Sequence, residues 1–304
     1  MLPEPALTGR ARPCAIDAWR RASALAFLAA IAVSGGCQGE EEGEDAIQSG
    51  LDAPRGPGAP AARCLPAKRF VGEAWPEADA LFHRDPRWLG GDAAYSIALS
   101  ADRILWLFGD SFIATSERHV RTQSKMVRNS IAIQTGTDPT KSSIAFEWRQ
   151  PIGPKTEPAS FFPEDGAHWF WPMHGARVGS ELVLFLNELE KTDGGLGFES
   201  VGTRMLRITN PDEPPSRWTW TSRRLPSDGR THGTAVVVAD DFLYGLSTRS
   251  SPLFFDVELE RWPVTDLDRD GALWTGSRFG GRKASVPVWG GGAPEFATLS
   301  LIHI

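Results

Sequence analysis

Cysteine is scarce. The chain has three in 304 residues, at Cys14, Cys37 and Cys64. All lie ahead of the body of the chain, which excludes an internal disulfide framework or a thiolate metal cluster. An excess of basic charge is also missing: 32 Lys and Arg against 38 Asp and Glu give a net charge of −6. That balance argues against a nucleic-acid binder, which would carry a basic patch or stripe. Tyrosine is nearly absent, two residues beside 12 Trp and 16 Phe; tryptophan fills cores and also stacks on sugar rings. The uncharged run Ala22–Val33 is shorter than the roughly 20 residues that span a bilayer. Beyond residue 65 no segment keeps a helical apolar period, whereas alternating apolar stretches recur. What the chain has in plenty is Gly (31) and Pro (23), the punctuation of many short strands.

The first 37 residues read as a secretory address. Arg10, Arg12, Arg20 and Arg21 precede the apolar run, and Ser34-Gly35-Gly36 stand before Cys37. This resembles a bacterial lipobox in which Ser34 replaces the usual Leu, so Cys37 is expected to be the lipidated mature N-terminus. The expected location is the extracytoplasmic face of a bacterial envelope membrane, with the lipid at Cys37 as the membrane contact. Residues 38–65 are acidic, Gly- and Pro-rich and almost free of large apolar side chains. Such a segment cannot repay the entropy of ordering and is expected to be a tether. Residues 66–298 form the body. The last six residues, Leu299 to Ile304, match the translation of a transposon-library sequencing adapter, and 299–304 are therefore expected to be an artefact ending a truncated chain.

Within the body one pattern repeats. Ala101–Gly109, Gly179–Asn187 and Ala239–Ser247 align as a turn, a charged residue and an apolar strand, starting 78 and then 60 residues apart. A strand precedes each, and further strands follow: NSIAIQTG and IAFEWRQ, then TRMLRITN and RWTWTSRRL, then LFFDVEL. A repeated hairpin with outer strands is the plan of a propeller blade. The expected fold is therefore an all-β β-propeller, with three blades and the start of a fourth between Val286 and Thr298. A β-sandwich is the competing architecture, but it would not repeat the same hairpin.

The stretch WLGGDAAYSIALSADRILWLFGDSF carries Gly-Asp at both ends, Gly91-Asp92 and Gly109-Asp110. With Ala101-Asp102 as a two-residue loop, Tyr95 pairs with Phe108, and Asp92 falls beside Ser111. One more loop residue would put Asp92 and Asp110 directly opposite, with Cβ atoms about 5 Å apart. Paired carboxylates at the mouth of a propeller suit glycoside hydrolysis, one as acid and the other as nucleophile or base. The plain alternative is turn chemistry, with Gly for positive φ and Asp bonding its own backbone.

These residues carry a family resemblance. Gly91-Asp92 with Tyr95-Ser96, the run Leu105 to Phe112, and Arg128 to Ala132 resemble the signature of the domain of unknown function 4185 family. Trp171-Pro172 with His174-Gly175, Gly233 to Val236, and Pro294-Glu295-Phe296 agree more loosely. The resemblance implies a five-bladed propeller when complete and Asp92 and Asp110 as the acidic pair. It also implies an activity like that of the family's endo-acting hydrolases of D-arabinan, a furanose polymer.

Other candidates follow from position. Asn129 and Ser130 could bond sugar hydroxyls or cap a turn, and Trp171 could shape a sugar subsite. His174 and His232 open the second and third hairpins near the place of Asp92, and blade symmetry aims them at the funnel. Glu295 is a possible third acid. No cofactor is expected, and no metal, since the two histidines lack a third ligand at useful spacing. Asp266, Asp268 and Asp270 lack the closing Glu of a calcium loop and read as a surface turn. Two functions stay open: an extracytoplasmic glycoside hydrolase on a furanose-containing polysaccharide, and a non-catalytic propeller that binds a glycan or partner.

Overall fold

A computed structural model describes residues 73–150, 157–250 and 255–288. Cys37, Glu295, the tether, the adapter-like end and most of the expected fourth blade lie outside the described residues. The fold is all-β and propeller-like, with 51% of the described residues in strands and one α-helix among them, α1 (Pro76–Phe82).

Three antiparallel blades follow one another along the chain. Blade one holds β1 (Trp88–Gly91), β2 (Tyr95–Ala98), β3 (Arg103–Phe108), β4 (Ser111–Ala114), β5 (Ser124–Val127), β6 (Ser130–Thr135) and β7 (Ser143–Glu147). Its strands pair as β2-β3-β6-β7 and, beyond a break, as β1-β4-β5. Blade two is β8 (Trp169–Val178), β9 (Glu181–Lys191), β10 (Phe198–Ile208) and β11 (Trp220–Arg224), neighbours in chain order. Blade three runs from β12 (Arg230–Ala239) through β13 (Phe242–Ser250), β14 (Phe255–Pro263) and β15 (Ala272–Trp274) to β16 (Phe279–Gly280). These are the repeats expected from the sequence. Val286 and Val288 do not open a new sheet: their N–H groups donate to the carbonyls of Trp274 and Val257, back in blade three.

The apolar runs have a simple cause. Leu182 to Leu186 of β9 are all at most 2% exposed, because a central strand with sheets on both sides is buried on both faces. Even-numbered Leu182, Leu184 and Leu186 meet Leu105, Leu107 and Ile131 of blade one. Odd-numbered Val183 and Phe185 meet Val236, Leu243 and Trp262 of blade three. The strand's period of two thus sorts its side chains between two interfaces. Each such side chain contributes about 1.5–3 kcal/mol of burial. On its other face blade one packs Trp88, Phe108 and Phe146 together, with Phe82 of α1 and Trp106 against them.

Asn129 and Thr203 occupy matching places in β-sheet register and tie each blade to the next. The Asn129 carbonyl accepts from Phe161 N–H and the Thr203 carbonyl from Leu225 N–H. Their side chains reach on to the following inner strand, Asn129 to Phe170 and Thr203 to His232.

Candidate functional site

The first hairpin differs in register from the two-residue loop. Tyr95 pairs with Leu107, Ser96 with Trp106 and Ile97 with Leu105. Leu99 N–H donates to Arg103 O at 2.8 Å, so Ser100, Ala101 and Asp102 form the loop. The slip of one residue brings Asp92 opposite the Gly109-Asp110 pair, two residues against one as in a bulge. Asp92 N–H donates to Asp110 O at 3.3 Å, and Gly109 N–H donates to Asp92 O at 3.0 Å.

At that level all three long strands of blade one break together. The gaps fall at Asp92–Ala94 between β1 and β2, at Gly109-Asp110 between β3 and β4, and at Arg128-Asn129 between β5 and β6. Ala93 and Ala94 follow Asp92 with φ of 72° and 61°. Left-handed alanine costs on the order of 1–3 kcal/mol, and such strain concentrates where function needs a backbone held in place. Gly109 is required here for space. A Cβ on it would run into the Asp92 carboxylate oxygen, with the Trp171 ring 3.7 Å away. Beneath the loop a hydrogen-bond chain supports it: Trp88 N–H to Ser130 Oγ at 3.1 Å, Ser130 to Ser111 at 2.8 Å, and Ser111 to Gly109 O at 2.9 Å.

Asp110 is held at both oxygens. Trp171 Nε1 donates to Oδ1 at 2.9 Å, and Arg128 reaches Oδ2 at 3.4 Å. Arg128 lies over the Trp169 ring, 4.4 Å from its centroid. Phe198 sets its edge against Trp171 at 5.0 Å between centroids. Asp92 is exposed, while Asp110, Arg128 and Trp171 are half-buried, so the cluster is open to a ligand.

The other candidates divide. Trp171 belongs to the cluster. Asn129 and Ser130 do not face a ligand, for both are fully buried. The Asn129 amide donates to Phe162 O and Phe170 O and accepts from Phe162 N–H, which leaves it a blade tie. His232 is likewise fully buried, with Nδ1 2.6 Å from Glu260 Oε2 and Nε2 3.2 Å from Pro226 O. Blade symmetry aimed it at the funnel, but a charged network encloses it. His174 Nδ1 accepts from Val236 N–H at 3.0 Å, joining the inner strands of blades two and three. Burial holds the His174 ring below its ordinary pKa against a hydrogen bond to the Ser96 backbone, and the bond accepted from Val236 N–H favours the same neutral ring.

Sequence reasoning passed over Arg128 as merely the residue before Asn129. Its role as the cation on Asp110 depends on register, and only the Arg-Asn-Ser motif hinted at it. Asp266, Asp268 and Asp270 form the expected turn, paired with Arg269, Arg207 and Arg223. Among the described residues no group of three or more His, Cys, Asp or Glu could hold a metal ion.

Fold and site together define a propeller-like protein with a solvent-open carboxylate pair on its first blade. The chain belongs to the family described as Domain of unknown function (DUF5005), whose model matches residues 77–289. The family so shown is this one; the 4185 likeness rests on the motifs quoted above. Among solved structures, the chain is similar to a protein of Bacteroides ovatus ATCC 8483 described as a "putative hydrolase". Identity is 17% and the TM-score 0.53, over 66% of this chain and 54% of that one. The likeness is one of fold, and this chain spans about half the length of that protein. No curated protein matches.

Proposed function

We propose that this protein is a glycoside hydrolase in which Asp92 and Asp110 are the catalytic pair. The observation that carries the reading is the register that sets Asp92 against the Gly109-Asp110 pair at a strained, solvent-open break. The bulge holds the two carboxylates on neighbouring strands at one end of the hairpin, an arrangement that suits the short carboxyl separation of retaining enzymes, about 5–5.5 Å. Asp110, fixed at both oxygens by Trp171 and Arg128, is placed to attack the anomeric carbon as the bond to the leaving sugar breaks. Asp92 gives its proton to the leaving oxygen. It then takes a proton from the water that displaces Asp110, which restores both groups.

The 4185 resemblance supports a furanose-containing polysaccharide such as D-arabinan as substrate. The signal and lipobox pattern supports action at the envelope surface through a lipid on Cys37.

The test uses the full-length protein with D-arabinan and a panel of other polysaccharides, following released oligosaccharides. Asp92→Asn and Asp110→Asn run beside it, each checked for a native melting curve. Release by the wild type alone is expected. No release from any glycan, with both variants binding glycan as the wild type does, would instead leave a binding propeller.

A further inference from the structure

We infer that Asn187 and Ser200 form, with Trp171 and Phe198, a sugar-binding ledge on blade two beside the carboxylate pair, taking an uncharged, hydroxyl-bearing sugar ring. The inference rests on the glycan reading of the site and adds the residues that recognise the sugar.

Its geometry follows from register. Trp171 of β8 lies directly opposite Asn187 of β9, so the two side chains share a face with Cβ atoms about 5 Å apart. Trp171 is also the residue whose indole N–H holds Asp110. Asn187 is therefore the neighbour of the catalytic cluster on the blade-two side. Phe198 packs edge-on against Trp171 at 5.0 Å and closes the ledge from β10.

The carboxamide is oriented. Ser200 Oγ donates to Asn187 Oδ1 at 2.6 Å, which engages the oxygen and leaves the two Nδ2 hydrogens without a protein acceptor among the described residues. Asn187 is half-buried and Ser200 exposed, so those donors are accessible. A fixed amide beside an aromatic edge gives directional donors for ring hydroxyls and an apolar surface for the ring's C–H face.

Packing does not explain an Asn here. The five residues before it are apolar and buried, and Asn is disfavoured inside strands. The repeat makes the contrast sharper. The matching position in blade one is Gly109, which clears room for Asp92. In blade three it is Ser247, fully buried and donating to Glu260 at 3.0 Å. Of the three, Asn187 alone presents unmatched donors to solvent. The neighbouring charges are engaged with one another: Glu188 pairs with His168, Arg204 and Arg224. The ledge itself is neutral, which fits hydroxyls rather than an acidic sugar.

The experiment compares full-length wild type with Asn187→Ala and Ser200→Ala. It measures initial rates on D-arabinan and the polysaccharide panel, binding of D-arabinan oligosaccharides in an Asp110→Asn background, and thermal midpoints. Asn187→Ala is expected to raise KM and Kd about tenfold, one good hydrogen-bond set to a substrate, with kcat changed less than about threefold. Ser200→Ala should raise KM about threefold, since it frees the amide to rotate. The midpoint should not move. Unchanged KM and Kd in a protein whose activity depends on Asp110 would overturn the ledge and leave the hydrolase. A fall in activity that tracks a lowered midpoint would overturn it too, in favour of packing. Sugar binding that depends on Asn187 without cleavage keeps the ledge and overturns the hydrolase. Neither binding nor cleavage of any glycan overturns both.

Discussion

In blade one, Asp110 pairs with a single guanidinium and both keep contact with solvent, Asp110 at 22% and Arg128 at 31% side-chain exposure. In blade three, at a matching level of the inner strands, Asp228, Glu258 and Glu260 meet Arg230, Arg282 and His232. There Arg230, His232, Glu258 and Glu260 are all at most 4% exposed. Arg230 bonds both Asp228 and Glu258, and Ser285 closes the ring against Arg230 and Glu258. Burial pushes Glu260 upward, but hydrogen bonds and charge from His232 and Arg282 outweigh it and leave its pKa below the usual carboxylate range. A buried network must satisfy itself, whereas an open pair can keep capacity for a ligand. The same repeat thus closes its charges on one another in blade three and leaves them open to solvent in blade one.

The largest effect should come from breaking the buried side. Glu260→Ala leaves His232 and Arg282 with Asp228 as their remaining carboxylate, and removing one partner of a buried pair costs about 3–5 kcal/mol. Urea unfolding should show that loss, or the variant should fail to accumulate folded; a loss below about 1 kcal/mol would make the network dispensable. The mirror test is Asp110→Asn, expected to lower hydrolysis about 10²–10⁴-fold, the scale of a lost catalytic carboxylate, with an unchanged melting curve. If instead it lowered stability as Glu260→Ala does, the two blades would not differ in kind.

A finer contrast lies at Gly109. Gly109→Ala places a methyl where the Asp92 carboxylate oxygen sits, and a side-chain end moves aside cheaply. Hydrolysis should drop about 10²-fold, as misplacement of about 1 Å can cost, while the melting midpoint holds within a few degrees. A full-rate Gly109→Ala would show that Asp92 needs no fixed position.

The smallest effect concerns His174. Its folded pKa is depressed by burial, so the unfolded chain takes up the proton first. The stabilisation is complete above the unfolded value, about 6.5, and is lost as pH falls below it. Melting midpoints should therefore decline from pH 7 toward 5. His174→Asn, whose Oδ1 can still accept from Val236 N–H, should flatten part of that decline. An identical slope in the variant would remove His174 from the account.

The alternation of apolar residues was enough to locate the repeating hairpins, because a two-residue period survives any small error in pairing. It was not enough for the site. Whether Asp92 faces Ser111 or the Gly109-Asp110 pair turns on one loop residue, settled by the Leu99–Arg103 hydrogen bond. His232 and Asn129 were misjudged for a related reason. Their partners lie 28 and 41 residues away, at Glu260 and Phe170, and no local pattern announces a side chain consumed at that distance.

By itself, then, the sequence determined the strand-rich body, the repeat and the two Gly-Asp pairs, since composition and periodicity are local properties. The tertiary structure decided which acids stand together, which polar groups are buried and spent, and which remain open beside them. Those outcomes depend on register and on packing between blades, where one residue of slip or one burial reverses a side chain's role.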